Sequence, residues 1–80
     1  MIDKNKLINI IAKALDVSPK KINDKSSTKN LEEWDSLGHL AILTSIDKHT
    51  SGKASKIETL ANCTSFKDLY KTLVTNNIAI

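Results

Sequence analysis

The stretch NLEEWDSLGHLAILTSI, residues 30–46, decides how this chain is built. It opens on polar and acidic residues and, from Ser36 onward, turns into an apolar run of Leu37, Leu40, Ala41, Ile42, Leu43 and Ile46. An Asp placed just ahead of such a run is a good helix N-cap, because its carboxylate accepts backbone N–H groups that a helix start leaves unpaired. The run predicts a helix over 36–49, ended by Thr50, Ser51 and Gly52. Its apolar residues spread round most of the circumference, so it packs on several sides or keeps apolar surface free for a partner.

On the N-terminal side, Leu7, Ile8, Ile11 and Leu15 form a stripe that fits an amphipathic helix over 4–15, with Asp3 as N-cap and Pro19 beyond the end. The connection from Asp16 to Asp35 is polar, with Val17, Ile22 and Leu31 as its anchors to a core. Ser18 followed by Pro19 allows one short turn. Long irregular segments in small domains are usually functional or disordered, and the spaced anchors here predict an ordered loop. On the C-terminal side, Ser55 with Glu58 has capping-box spacing and predicts a short third helix burying Ile57 and Leu60. Ser65 with Asp68 repeats the spacing and opens a fourth helix through Phe66, Leu69, Tyr70, Leu73 and Val74. The tail TNNIAI reads as frayed. The expected architecture is one all-α domain over 1–80, a small four-helix bundle with a long loop between helices one and two and a short third helix.

A chain of 80 residues with one cysteine, Cys63, has no intrachain disulfide to hold it. His39 and His49 do not stand in a metal-ligand spacing, so no metal site is expected. Apolar packing has to supply the stability, and Cys63 reads as a small half-buried residue at a helix end. No segment reads as a signal peptide, and no apolar run approaches the ~20 residues of a membrane span. The expectation is a soluble, cytoplasmic monomer. The net charge of +3 comes from twelve scattered lysines and no arginine, with three aromatic residues. Arginine is the usual reader of guanine edges and phosphate forks, and aromatics build stacking platforms, so nucleic acid is not expected as a partner.

Three readings compete for Ser36. It is a helix-start residue and nothing more, or a hydrolase nucleophile, or the point at which a group is attached. A hydrolase needs a base, an orienter and an oxyanion hole. His39 lies three residues on, but there is no G-x-S-x-G elbow and no strand to carry one. The WDSL of residues 34–37 has the look of a GDSL esterase block, yet those enzymes need further blocks on an α/β scaffold that this chain has no room for. An attachment site asks only for an exposed hydroxyl at a fixed place, and a helix N-terminus favours a phosphodiester there.

The sequence Asp35-Ser36-Leu37, at the head of the second helix after a long loop, resembles the attachment motif of acyl carrier proteins. LDVSPKKI at 15–22, LEEWDSLGHLAIL at 31–43 and KIETLANCTSFKDLYKTL at 56–73 are similar to the family's first junction, second helix and last two helices, so the resemblance spans nearly the whole chain. It implies a carrier and not an enzyme. A phosphopantetheinyl transferase (holo-carrier synthase) would attach 4'-phosphopantetheine to Ser36 from coenzyme A with Mg²⁺, docking through Asp35 and Leu37. The arm would hold an acyl or aminoacyl group as a thioester. Gly38, Ala41, Asp47 and Glu58 would lie on the partner surface, and Leu40, Leu43, Ile46, Ile57 and Leu60 would line a pocket for the acyl chain. Partners implied are an acyl- or aminoacyl-activating ligase and a downstream acyltransferase or condensing enzyme.

Carriers of fatty acid synthesis are usually acidic along the second helix. Here the only acid within 36–49 is Asp47, beside Lys48, and the acids Glu32, Glu33 and Asp35 gather ahead of the serine. Long-range steering by that helix is weak, which favours a dedicated pathway (secondary metabolite, surface polysaccharide or lipid) over general fatty acid synthesis. The alternative from another class is an unmodified helical interaction module. Trp34 is expected as a lid over the loop and helix two, its indole N–H needing a partner or solvent. His39 is expected to be exposed or partner-facing, and His49 to sit at a solvated helix end.

Overall fold

The computed structural model describes residues 2–80. Three α-helices form the frame: α1 over Lys4–Leu15, α2 over Ser36–His49 and α3 over Phe66–Thr75. Where the capping-box spacing predicted a short third helix, the chain makes two 3₁₀ turns, Ala54–Lys56 and Glu58–Asn62. The bundle is therefore three α-helices with an irregular crossing segment. Two local facts break the expected helix. The Ser55 N–H donates to Asp47 Oδ1 at 2.9 Å, and the Ser55 hydroxyl turns back to the Gly52 carbonyl at 2.8 Å, so Ser55 caps nothing. Ile57 is extended (φ −100°, ψ 96°) and separates the turns. A stretch this short gains too few hydrogen bonds to offset nucleating an α-helix.

Each α-helix starts on a side-chain cap from the residue before it. Asp3 accepts from Lys6 N–H at 2.7 Å, Asp35 from Gly38 N–H at 2.8 Å, and Ser65 from Asp68 N–H at 3.2 Å. Each also stops next to a left-handed residue that is not glycine: Asp16 (φ 58°), Ser51 (φ 56°) and Asn77 (φ 61°). At both α1 and α3 the stop is a Schellman motif. Val17 N–H reaches the Ala12 carbonyl and Asp16 N–H the Lys13 carbonyl; Ile78 N–H reaches Leu73 and Asn77 N–H reaches Val74. The apolar residue that follows each left-handed turn, Val17 or Ile78, packs back on the core.

The core is one cluster. Leu7 and Ile11 from α1, Ile42 and Ile46 from α2, and Phe66, Leu69 and Leu73 from α3 are fully buried, and Trp34 and Leu60 close the spaces between them. Val74, expected in the α3 stripe, is exposed. The loop over 16–35 is ordered, as the anchors predict. Ile22 is buried, Val17 and Leu31 are partly buried, and Ser18 accepts from Lys20 N–H to cap the turn Pro19–Lys21. Buried Ser26 organises the middle: its hydroxyl donates to the Lys21 carbonyl and accepts from Asn23 N–H, while its carbonyl accepts from Phe66 N–H. Ser27 pairs with Ser65 in an isolated antiparallel bridge, so the loop is sewn to the start of α3.

The tail is docked, not frayed. Ile78 and Ala79 are buried, Ile2 and Ala79 form a parallel bridge, and Ile80 N–H donates to the Ile2 carbonyl at 3.0 Å. The Tyr70 hydroxyl donates to the carbonyl of Ile80. The two ends of the described chain thus clasp each other. Ile78→Ala is expected to lower stability by about 2 kcal/mol, at the low end for a large-to-small core change, whereas Ile80→Ala, with its side chain exposed, should change it by no more than about 0.5 kcal/mol; urea denaturation of both variants checks the pair.

Candidate functional site

Ser36 is the first residue of α2 and is exposed. The cap is supplied by Asp35, whose Oδ1 holds Gly38 N–H, so the serine hydroxyl is not spent on the helix start. Leu37, next along, is 78% exposed. The N-terminal end of a 14-residue helix therefore presents a hydroxyl, an apolar side chain and the positive end of the helix dipole together.

What holds this end in place is close backbone contact. A Cβ built on Gly38 would overlap the Glu33 carbonyl oxygen and lie 2.8 Å from Leu15 Cδ2. Gly38 is half-buried, and the side on which a Cβ would stand is filled by the loop and α1 pressing on the first turn of α2. Asp47 is likewise turned to internal use, accepting from Ser55 N–H. Ala41 is half-buried and Glu58 exposed.

Trp34 is 1% exposed and belongs to the buried core cluster. Its indole N–H donates to His39 Nδ1 at 3.0 Å, and His39 Nε2 lies 3.0 Å from the Leu60 carbonyl oxygen. An indole N–H is a donor only, so Nδ1 is the accepting nitrogen and Nε2 carries the proton that goes to Leu60. His39, expected to be exposed or partner-facing, is half-buried, lines the hollow at Ser36 and is committed at both nitrogens. With both nitrogens engaged, it has no free lone pair to take a proton from Ser36. His49 sits at the exposed end of α2, its Nδ1 2.8 Å from the Ser45 carbonyl.

Two open hollows flank the turn Glu58–Asn62. The first, of about 520 Å³, is bounded by Ser36, Asp35, Trp34, His39, Thr64 and Ala61. The second, of about 310 Å³, lies between α2 and the two turns and is bounded by Leu43, Ala54, Ile57, Leu60 and Ala61, with Asp47 and Glu58 also lining it. Of the five side chains expected to line an acyl pocket, Leu43, Ile57 and Leu60 meet at this second hollow, and Ile46 is fully buried in the core. Leu40 is 61% exposed and lies outside it. At 3.6 residues per turn, Leu40 stands about 200° from both Gly38 and Ile42, so a seam built on those two turns it to the outside. Leu37 and Leu40 therefore share the outer face.

Buried Cys63 sits below the same turn, its Sγ 3.4 Å from both the Thr59 carbonyl and Thr72 Oγ1. Among the described residues no group of histidine, cysteine and carboxylate side chains is arranged to hold a metal ion, and no helix is long and apolar enough to cross a membrane. The tie through His39 had one signal in the sequence, the i, i+5 spacing of a tryptophan that needs an acceptor and a histidine that can supply one. Nothing in the sequence marks the Leu60 carbonyl.

Alanine normally stabilises a helix over glycine by about 1 kcal/mol. At residue 38 the overlap with Glu33 backbone should outweigh that gain, and Gly38→Ala is expected to lose about 1–3 kcal/mol in a urea titration.

Set against known proteins, the chain matches no family model, and no curated protein or solved structure is significantly similar to it.

Proposed function

We propose that this chain is a carrier and not an enzyme: Ser36 is the attachment point of 4'-phosphopantetheine, and the cargo is an acyl or aminoacyl group. The observation that carries this reading is the exposed Ser36 at the head of α2, released from capping by Asp35 and flanked by exposed Leu37. The residues fit the group. A phosphate esterified to Ser36 would stand at the positive end of α2, beside the hollow bounded by Ala61 and Thr64. Once attached, the arm supplies a terminal thiol that holds the cargo as a thioester.

The chain's own residues have three tasks. Asp35 fixes the first turn of α2, so the hydroxyl is presented to a phosphopantetheinyl transferase in one place. Leu37 and Leu40 offer that enzyme, and then an activating ligase and a downstream acyltransferase or condensing enzyme, an apolar contact. Leu43, Ile57 and Leu60 offer the cargo apolar surface that excludes water from the electrophilic thioester carbon. Ser36 needs no activation from within the chain, which agrees with a His39 already committed at both nitrogens.

The outer face of α2 carries little charge, so matched partners of a dedicated pathway are favoured over the general enzymes of fatty acid synthesis. A second reading has its own support: exposed Leu37 and Leu40 also suit an unmodified module that binds another helix or groove.

Incubation with coenzyme A, Mg²⁺ and broad-specificity transferases, followed by intact mass, separates the two. The expected result is a gain of one phosphopantetheine, lost in Ser36→Ala; no gain with any of several transferases favours the module. If docking is apolar, Leu37→Ala with Leu40→Ala should slow loading about tenfold, and the wild-type rate should change less than about threefold between roughly 0.05 and 0.5 M salt. A steep fall with salt measured on the same reaction would count against apolar docking.

A further inference from the structure

The turn Glu58–Asn62 is the partition between two hollows: Ala61 borders both the one at Ser36 and the apolar one at Leu43 and Ile57. It belongs to no α-helix and has no side-chain cap. Its attachment to α2 combines burial of Leu60 with one polar tie, the bond from His39 Nε2 to the Leu60 carbonyl. His39 also receives the Trp34 indole N–H, so one imidazole links the lid, the first turns of α2 and the partition.

We propose that His39 is a positioning residue for the site at Ser36: as the neutral ring protonated on Nε2, it pins the partition and keeps the two hollows apart. The tautomer is fixed from outside the ring. The indole can only donate, so Nδ1 must accept, and the proton left on Nε2 meets a carbonyl that can only accept. Any other protonation state sets two donors against each other or leaves the Leu60 carbonyl with the Cys63 N–H as its one remaining donor. Assigning the hollows to an arm and its cargo rests on the carrier reading; the tie itself does not.

Two conservative variants split the tie. Asparagine carries an amide oxygen near the place of Nδ1 and keeps the indole bond but not the bond to Leu60. Glutamine carries an amide nitrogen near the place of Nε2 and keeps the bond to Leu60 but not the indole bond. Cys63 reports on the partition, because it is the only thiol, it is buried, and its N–H and Sγ are bonded to the turn through Leu60 and Thr59. The reaction of Cys63 with an aromatic disulfide reagent is followed in the full-length, unmodified chain, with urea midpoints measured alongside. His39→Asn should speed labelling about tenfold through local opening, and His39→Gln should stay within about twofold of wild type. Nitrogen-15 shifts of the wild-type imidazole, which need no variant to fold, should show a protonated Nε2 and an unprotonated Nδ1 at neutral pH. Equal labelling in wild type and His39→Asn, equal acceleration in both variants, or an imidazole protonated on Nδ1 would each overturn the proposal. If no transferase loads the wild type, the carrier reading fails, and these measurements still decide the tie.

Discussion

Burying Trp34 obliges its indole N–H to find an acceptor, and the rest of the site follows from where that acceptor stands. An unpaired N–H at 1% exposure would cost on the order of 1–3 kcal/mol. The ring that accepts it, His39, sits one turn into α2. The bond therefore ties the end of the long loop to α2 across the four residues Asp35, Ser36, Leu37 and Gly38. Between those fixed points the chain has little freedom: Trp34 N–H is held by the Leu31 carbonyl, Asp35 caps the helix, and Gly38 lies against Glu33. Ser36 is exposed on a rigid mount.

The helices were legible because their ends are chemical and local. Asp35 and the Thr50-Ser51-Gly52 stop bracket α2 at 36 and 49 as read, and the caps Asp3 and Ser65 place α1 and α3. The loop's order was legible from its anchors, although the bridge from Ser27 to Ser65 has no periodic signature. The docked tail had a signal that went unread. Asn76-Asn77-Ile78 is a helix stop with a left-handed Asn followed by an apolar residue, the sequence form of a Schellman motif. The tail reads as frayed from its sequence, whereas Asn77 marks a turn back to the core.

Other features were not legible because they are settled by tertiary competition. Ser55 and Glu58 satisfy the spacing of a capping box, but the Asp47 carboxylate takes the Ser55 N–H first. Leu40 is as apolar as Ile42, and only the position of the neighbours of α2 decides which of them is covered; the close approach at Gly38 sets that rotation. His39 has the composition of a surface residue, and its burial depends on a carbonyl 21 residues away. In the candidate site, the exposed serine, its cap and Leu37 could be read from three adjacent letters. The hollow at Ser36 could not, because it is bounded by segments distant in sequence, and Leu43, Ile57 and Leu60 at the second were reached through the family resemblance alone.

The crossing segment between α2 and α3 is built differently from the frame, and that difference bears on what the site can do. The α-helices bury wide apolar faces and hold every interior backbone group in their own ladders. The two 3₁₀ turns bury Ala54 and Leu60 and rely on bonds from outside: Asp47 to Ser55, His39 to Leu60, and Thr28 N–H to the Thr64 carbonyl beyond the second turn. Segments held by few buried contacts open locally at lower free energy than the global fold. Local opening of this segment would join the two hollows while α1, α2 and α3 stay packed, because the fully buried α-helical core residues are outside it. On the proposed carrier reading, a serine held fixed while its surroundings admit groups of different length would need that division between a stiff mount and a yielding wall.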